Sequence, residues 1–113
     1  TENWGFFTNK AITWLPGIVK YKDYQVNSAL MEKTGNPNAI FIHMLPATHN
    51  GDHAAARKLI NSMNDPELRA FLEKGFEVTD EVFEKNAEYI FREAENRQHT
   101  IKAVIYAVMG CDE

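Results

Sequence analysis

The chain has 113 residues, 44% hydrophobic, 25% charged and 12% aromatic, a balance that predicts a folded protein and excludes a disordered one. Twelve basic against sixteen acidic residues leave a formal charge of −4, which argues against broad nucleic-acid binding. No apolar run approaches the roughly 18 residues a membrane span needs, and the start TENWGFFTNK lacks the features of a signal peptide. The single Cys111 cannot close an internal disulfide, so a reducing, cytoplasmic setting is expected.

Residues 1–23 are rich in aromatics, among them Trp4, Phe6, Phe7, Trp14 and Tyr21, and Pro16-Gly17 predicts a turn within an irregular stretch. Asn27 is the expected N-cap of a short helix over 28–34, which Gly35 stops. Asn36-Pro37 turns the chain. AIFIH (39–43) is an apolar run between turn signals, the pattern of a strand buried on both faces in a parallel sheet, and Leu45-Pro46 ends it. A helix is expected over about 52–63, with apolar pairs Ala55–Leu59, Ala56–Ile60 and Leu59–Met63.

Asp65-Pro66 provides N-cap and first residue of the next helix, whose apolar face is Leu68, Phe71 and Leu72. Lys74-Gly75 closes it. A very short strand over 76–78 and a helical turn capped by Thr79 should come next, with Asp80 and Glu81 suiting the positive helix end. EYIFR (88–92) is expected to form another short strand. The last helix should run from about Asn96 to Met109, with Ile101, Val104, Ile105, Val108 and Met109 as its stripe and Gly110 as its stop. This order predicts an α/β fold: three αβα layers, a partial parallel, Rossmann-like sheet and a long C-terminal helix, in a single unit over 1–113.

Ligands of open α/β sheets bind beyond the carboxyl ends of strands, which singles out His43, Met44, Leu45 and Pro46. Arg97 falls at the expected start of the last helix, where a permanent charge and free backbone N–H groups favour an anion or a polarised carbonyl oxygen. Each also has a plain alternative: His43 as a hydrogen-bonded core residue, Arg97 as a solvated side chain. His49, His53 and His99 do not have the spacing of a metal set, so neither metal nor cofactor is expected. No G-x-G-x-x-G follows a strand, against a nucleotide-binding oxidoreductase.

Four segments occur in a telling order: YQVNSALMEKTG (24–35), GNPNAIFIHMLPATHN (35–50), FEVTDEVFE (76–84) and EAENRQHTIKAVIYAVMG (93–110). Through them the chain resembles the C-terminal, amino-acid-binding part of ornithine carbamoyltransferases. The aspartate enzymes normally have proline and then arginine around the equivalent H-x-L-P string and lack E-N-R-x-H. The resemblance implies transfer of a carbamoyl group from carbamoyl phosphate to the δ-amine of ornithine. It implies that Arg97 faces the carbamoyl oxygen, that the Leu45 carbonyl orients the carbamoyl amide and the amine, and that His43 braces the loop. Met44 would lie beside the substrate amine.

The sequence departs from the family in three places. Met44 stands where cysteine is usual, and methionine has no S–H donor. No Ser-Met-Gly turn lies in the divergent stretch 1–23. The Ser-x-Arg-Thr-Arg phosphate motif, which belongs to the family's N-terminal domain, is not in these 113 residues. Two functions fit: part of an ornithine carbamoyltransferase, incomplete by itself, or a catalytically inactive, degenerate binding or assembly module. In the resembled fold the last helix packs across the N-terminal domain. Its Ile101–Val108 stripe is therefore expected to be exposed here and to seek self-association or an N-terminal domain.

Overall fold

The computed structural model describes residues 3–4 and 14–110; Phe6, Phe7 and Cys111 lie outside them. The described chain forms α1 (Leu15–Tyr21), a 3-10 turn (Lys22–Tyr24), α2 (Ser28–Glu32), α3 (Ala54–Ser62), α4 (Pro66–Glu73) and α5 (Asp80–Val108). No helix among the described residues is long and apolar enough to cross a membrane.

Local chemistry sets most of these boundaries. The Asn27 side chain accepts from Leu30 N–H at 3.0 Å and starts α2. Gly35, at φ +66°, ends the turn after it. Asp65 accepts from the N–H groups of Glu67 and Leu68 at the head of α4, with Pro66 just inside. Pro16-Gly17 departs from expectation. It makes no turn but sits in the first turn of α1, where a missing N–H costs nothing.

The expected parallel sheet does not form among the described residues. Among the described residues, segment 39–43 is assigned to no strand, and residues 75–79 make only isolated bridges, Val26 with Val78 (parallel) and Gly75 with Thr79 (antiparallel). Yet burial along 40–44 alternates as on a strand: Phe41 and His43 are buried, while Ile40, Ile42 and Met44 are about half exposed. One face therefore packs on the core and the other faces outward.

Residues 88–92 also differ from expectation. EYIFR is helical, and α5 is one helix from Asp80 to Val108, so it begins well before Asn96. A three-residue apolar run such as Tyr89-Ile90-Phe91 suits a strand or a buried helix turn equally. The wider pattern decides. Val82, Phe83, Asn86 and Ile90 recur at helical spacing and are the buried residues of α5, and no glycine or proline interrupts the span.

Two apolar clusters hold the elements together. Trp14, Ile18, Ala56, Leu59, Ile60, Leu72 and Phe76 join α1, α3 and α4. Phe41, Val78, Val82, Phe83 and Ile90 join segment 39–43 to the first half of α5. Phe76 enters the first cluster and Val78 the second, so the link between α4 and α5 stitches the two. Beyond Ile90, α5 leaves the core. Ile101, Val104, Ile105, Val108 and Met109 are 50–81% exposed. The radius of gyration is 17.3 Å, against about 13 Å for a compact chain of this length.

Two substitutions probe this arrangement. Gly75 has φ +135°, and a Cβ there would meet Val78 O at 2.1 Å and His49 O at 2.8 Å. Gly75→Ala should lower the urea midpoint by the equivalent of about 2 kcal/mol or more. In α5, Ile90→Ala should cost about 2–5 kcal/mol, whereas Ile101→Ala should cost no more than about 0.5 kcal/mol. An equal cost at both positions in urea melts would mean that the distal face is covered in solution.

Candidate functional site

The residues Met44 to Ala47 form a short loop between two buried anchors, His43 (1% exposed) and Thr48 (5% exposed). On the loop Met44 and Leu45 are exposed, 55% and 37%. Leu45-Pro46 is a cis peptide. Three of the residues singled out from sequence, His43, Met44 and Leu45, thus share one place, but His43 faces inward and its neighbours face out.

Beneath the loop lies a carboxylate. Glu77 is completely buried; its Oε1 accepts from Thr48 N–H at 2.6 Å and stands 3.3 Å from His43 Nε2. The His43 contact lies off the line that a good hydrogen bond needs. His43 Nδ1, Glu77 Oε2 and Thr79 Oγ1 are likewise buried without a hydrogen bond among the described residues. Thr79 thus starts α5 by position, and its side chain makes no cap bond.

Backbone bonds fix this carboxylate in place. Phe76 N–H donates to Thr48 O, Val26 N–H donates to Glu77 O, and Thr79 N–H donates to Val26 O, each at 3.0 Å. The buried Gln25 amide donates to Gly75 O and Phe76 O at 2.9 and 3.0 Å. From the outer side, Asn3 Nδ2 reaches Thr48 Oγ1 at 2.7 Å and Pro46 O at 3.3 Å. Upstream, Phe41 N–H donates to Asn86 Oδ1 at 2.9 Å, and Asn86 Nδ2 donates to Val82 O. A buried side chain of α5 thereby holds the segment that leads into the loop.

Downstream, the loop is tied to the start of α5. The His49 ring stacks on Phe83 with centroids 3.8 Å apart, and its Nδ1 lies 2.6 Å from Asp80 Oδ1, which also accepts from Asn50. A carboxylate in the first turn suits the helix dipole. His49, Asp80 and Glu84 bring ligand-type atoms within 4.8 Å of one another, a grouping that spacing alone did not reveal. Both acids are exposed.

Arg97 is placed differently from expectation. It is exposed and lies inside α5, far from the helix start at Asp80. Amides in a helix interior are bonded to carbonyls four residues back, so none is free there to assist an anion. Any role of Arg97 therefore rests on its guanidinium alone.

A cavity of about 450 Å³ opens beside α2, between the 35–39 turn and the first turns of α5, among Met31, Glu32, Asn36, Glu81, Lys85 and Asn86. His43, Met44, Leu45 and Arg97 do not line it. The polar residues that position the loop, Glu77, Gln25, Thr48 and Asn86, were not singled out from sequence. Glu77 sits between Phe76 and Val78, where alternation alone would point it to solvent.

Comparison with known proteins converges on one group. The family model described as the Asp/Orn binding domain of aspartate/ornithine carbamoyltransferase matches residues 3–108. Ornithine carbamoyltransferase of Staphylococcus aureus (strain Newman) is 43% identical over 110 residues. That of Pediococcus pentosaceus is 44% identical over 110 residues. In both cases 97% of this chain aligns with 31% of the relative, so the chain spans under a third of the length of these relatives.

Asn86→Ala should leave the Phe41 N–H buried without an acceptor and cost about 1–3 kcal/mol. Amide resonances of residues 40–44 should shift more than those of α3 in a two-dimensional NMR comparison.

Proposed function

The chain belongs to the aspartate/ornithine carbamoyltransferase family, and from that premise we propose that it is the amino-acid-binding part of an ornithine carbamoyltransferase. It works with a carbamoyl-phosphate domain in converting carbamoyl phosphate and ornithine to citrulline and phosphate. The observation that carries this reading is the loop. Exposed Met44 and Leu45 are presented between two buried anchors, Thr48 bonded by the buried Glu77 carboxylate and His43 standing 3.3 Å from it. In the reaction the δ-amine attacks the carbamoyl carbon, the bond from carbon to the phosphate oxygen breaks, and the amine loses a proton. The protein's share is orientation and prearranged charge. The Leu45 carbonyl accepts from the amine and the carbamoyl amide, His43 braces the loop from within, and Arg97 meets negative charge growing on the carbamoyl oxygen.

The finer fold belongs to the same proposal. Segment 39–43, with its alternating burial, and residues 76–78 are strands of a parallel sheet. The exposed distal face of α5 packs against the carbamoyl-phosphate domain, or against a second chain when that domain is absent. The single cysteine suits a reducing cytoplasm. One observation favours the alternative of an inactive binding module: Met44 offers the amine no S–H partner.

The test adds L-ornithine and carbamoyl phosphate to the chain with and without a family carbamoyl-phosphate domain. Citrulline should form only in the mixture. Arg97→Ala should reduce that turnover by about 10²–10³-fold, the scale of losing one donor to a developing oxyanion. No citrulline in either tube, with both proteins folded, sinks the enzyme reading and leaves the binding module.

A further inference from the structure

The assignment of Met44 and Leu45 to the substrate leaves open what fixes their geometry. We propose that Glu77 is the positioning residue of this loop, resting on that assignment. The loop is anchored at its ends, and Glu77 meets both: His43 Nε2 at 3.3 Å before it and Thr48 N–H at 2.6 Å after it. Thr48 is held twice by the same short segment, its N–H by the Glu77 carboxylate and its C=O by Phe76 N–H. Glu77 cannot shift in turn, because its own carbonyl accepts from Val26 N–H and the flanking Gly75 and Phe76 carbonyls accept from Gln25. A single side chain thus reaches both ends of Met44–Ala47 and bonds the later one.

A carboxylate is an expensive choice for this place. Completely buried, it forgoes hydration that neighbours must replace. Apolar packing would close the same volume at less cost, but it would not hold an N–H in a fixed direction. The short bond to Thr48 is what a charged acceptor supplies and a neutral one supplies less strongly. The full length of the glutamate side chain is also needed. An aspartate in its place would fall short of both anchors, while a glutamine keeps the reach and the acceptor oxygen.

The experiment uses the full chain labelled with ¹⁵N, comparing wild type with Glu77→Asp and Glu77→Gln. Amide exchange is read at Thr48 against Leu59 and Leu72, and L-ornithine affinity is read from shift titrations. In Glu77→Asp, exchange at Thr48 should speed by about tenfold or more, with α3 and α4 unchanged, and ornithine should bind about tenfold more weakly. Glu77→Gln should bind ornithine within about threefold of wild type while Thr48 exchanges about threefold faster, since its acceptor is neutral. Unchanged Thr48 exchange in both variants overturns the proposal, as does a loosened loop with ornithine affinity intact. Equal acceleration at every amide also overturns it, because it assigns Glu77 to general stability. If Glu77→Asp does not fold, Glu77→Gln decides through Thr48 exchange. If wild type shows no ornithine shifts at all, the substrate assignment has failed, and Thr48 exchange still reports whether Glu77 holds the loop.

Discussion

Between the end of α4 and the start of α5 the chain passes through Gly75, Phe76, Glu77, Val78 and Thr79, and the rest of the structure is arranged about that passage. Its backbone is bonded to Val26 on one side and Thr48 on the other. Its side chains go to two different apolar clusters and to a buried polar site. Such crowding leaves no volume for a side chain at Gly75. It also explains why a buried carboxylate is tolerated. The desolvation of Glu77 is offset in part by its short bond from Thr48 N–H, with His43 Nε2 3.3 Å away.

What the sequence made legible was mostly local. Asn27 and Asp65 cap as their chemistry demands, and the residues that spacing picks out on α3 and α4 pack on one cluster, Ala56, Leu59, Ile60 and Leu72 buried and Ala55, Met63, Leu68 and Phe71 partly so. Family membership was legible too, because ordered motifs survive where single residues mislead. Failures arose where a short signal had to be weighed against distant context. EYIFR contains too few apolar residues to distinguish strand from helix, and only its register with Val82 and Asn86 settles the matter. Pro16-Gly17 either punctuates a chain or opens a helix, and the helical bonds made by residues 18–22 decide which. Glu77 escaped notice since nothing local says that a charge between Phe76 and Val78 turns inward to meet residues about thirty positions upstream.

The sites that sequence singled out divide by the same distinction. His43, Met44 and Leu45 are close in sequence and arrive together on one loop. Arg97 is distant, and its position depends on how long α5 runs. A helix starting near Asn96 would hold Arg97 at an end with free amides. The continuous helix moves that positive end to Asp80, beside His49 and the loop rather than beside Arg97.

The long, half-buried α5 also has a mechanical consequence. The last buried side chain is Ile90, so the helix beyond it is a cantilever. Arg97 lies seven residues farther on, roughly 10 Å at the rise of an α-helix. A tilt of about 5° at that fulcrum carries its backbone through roughly 1 Å, the scale of misplacement that can cost a hundredfold in a positioned reaction. For the role proposed for Arg97, the precision of a guanidinium so mounted would have to come from a contact on the far arm of the lever, not from the core beneath Ile90.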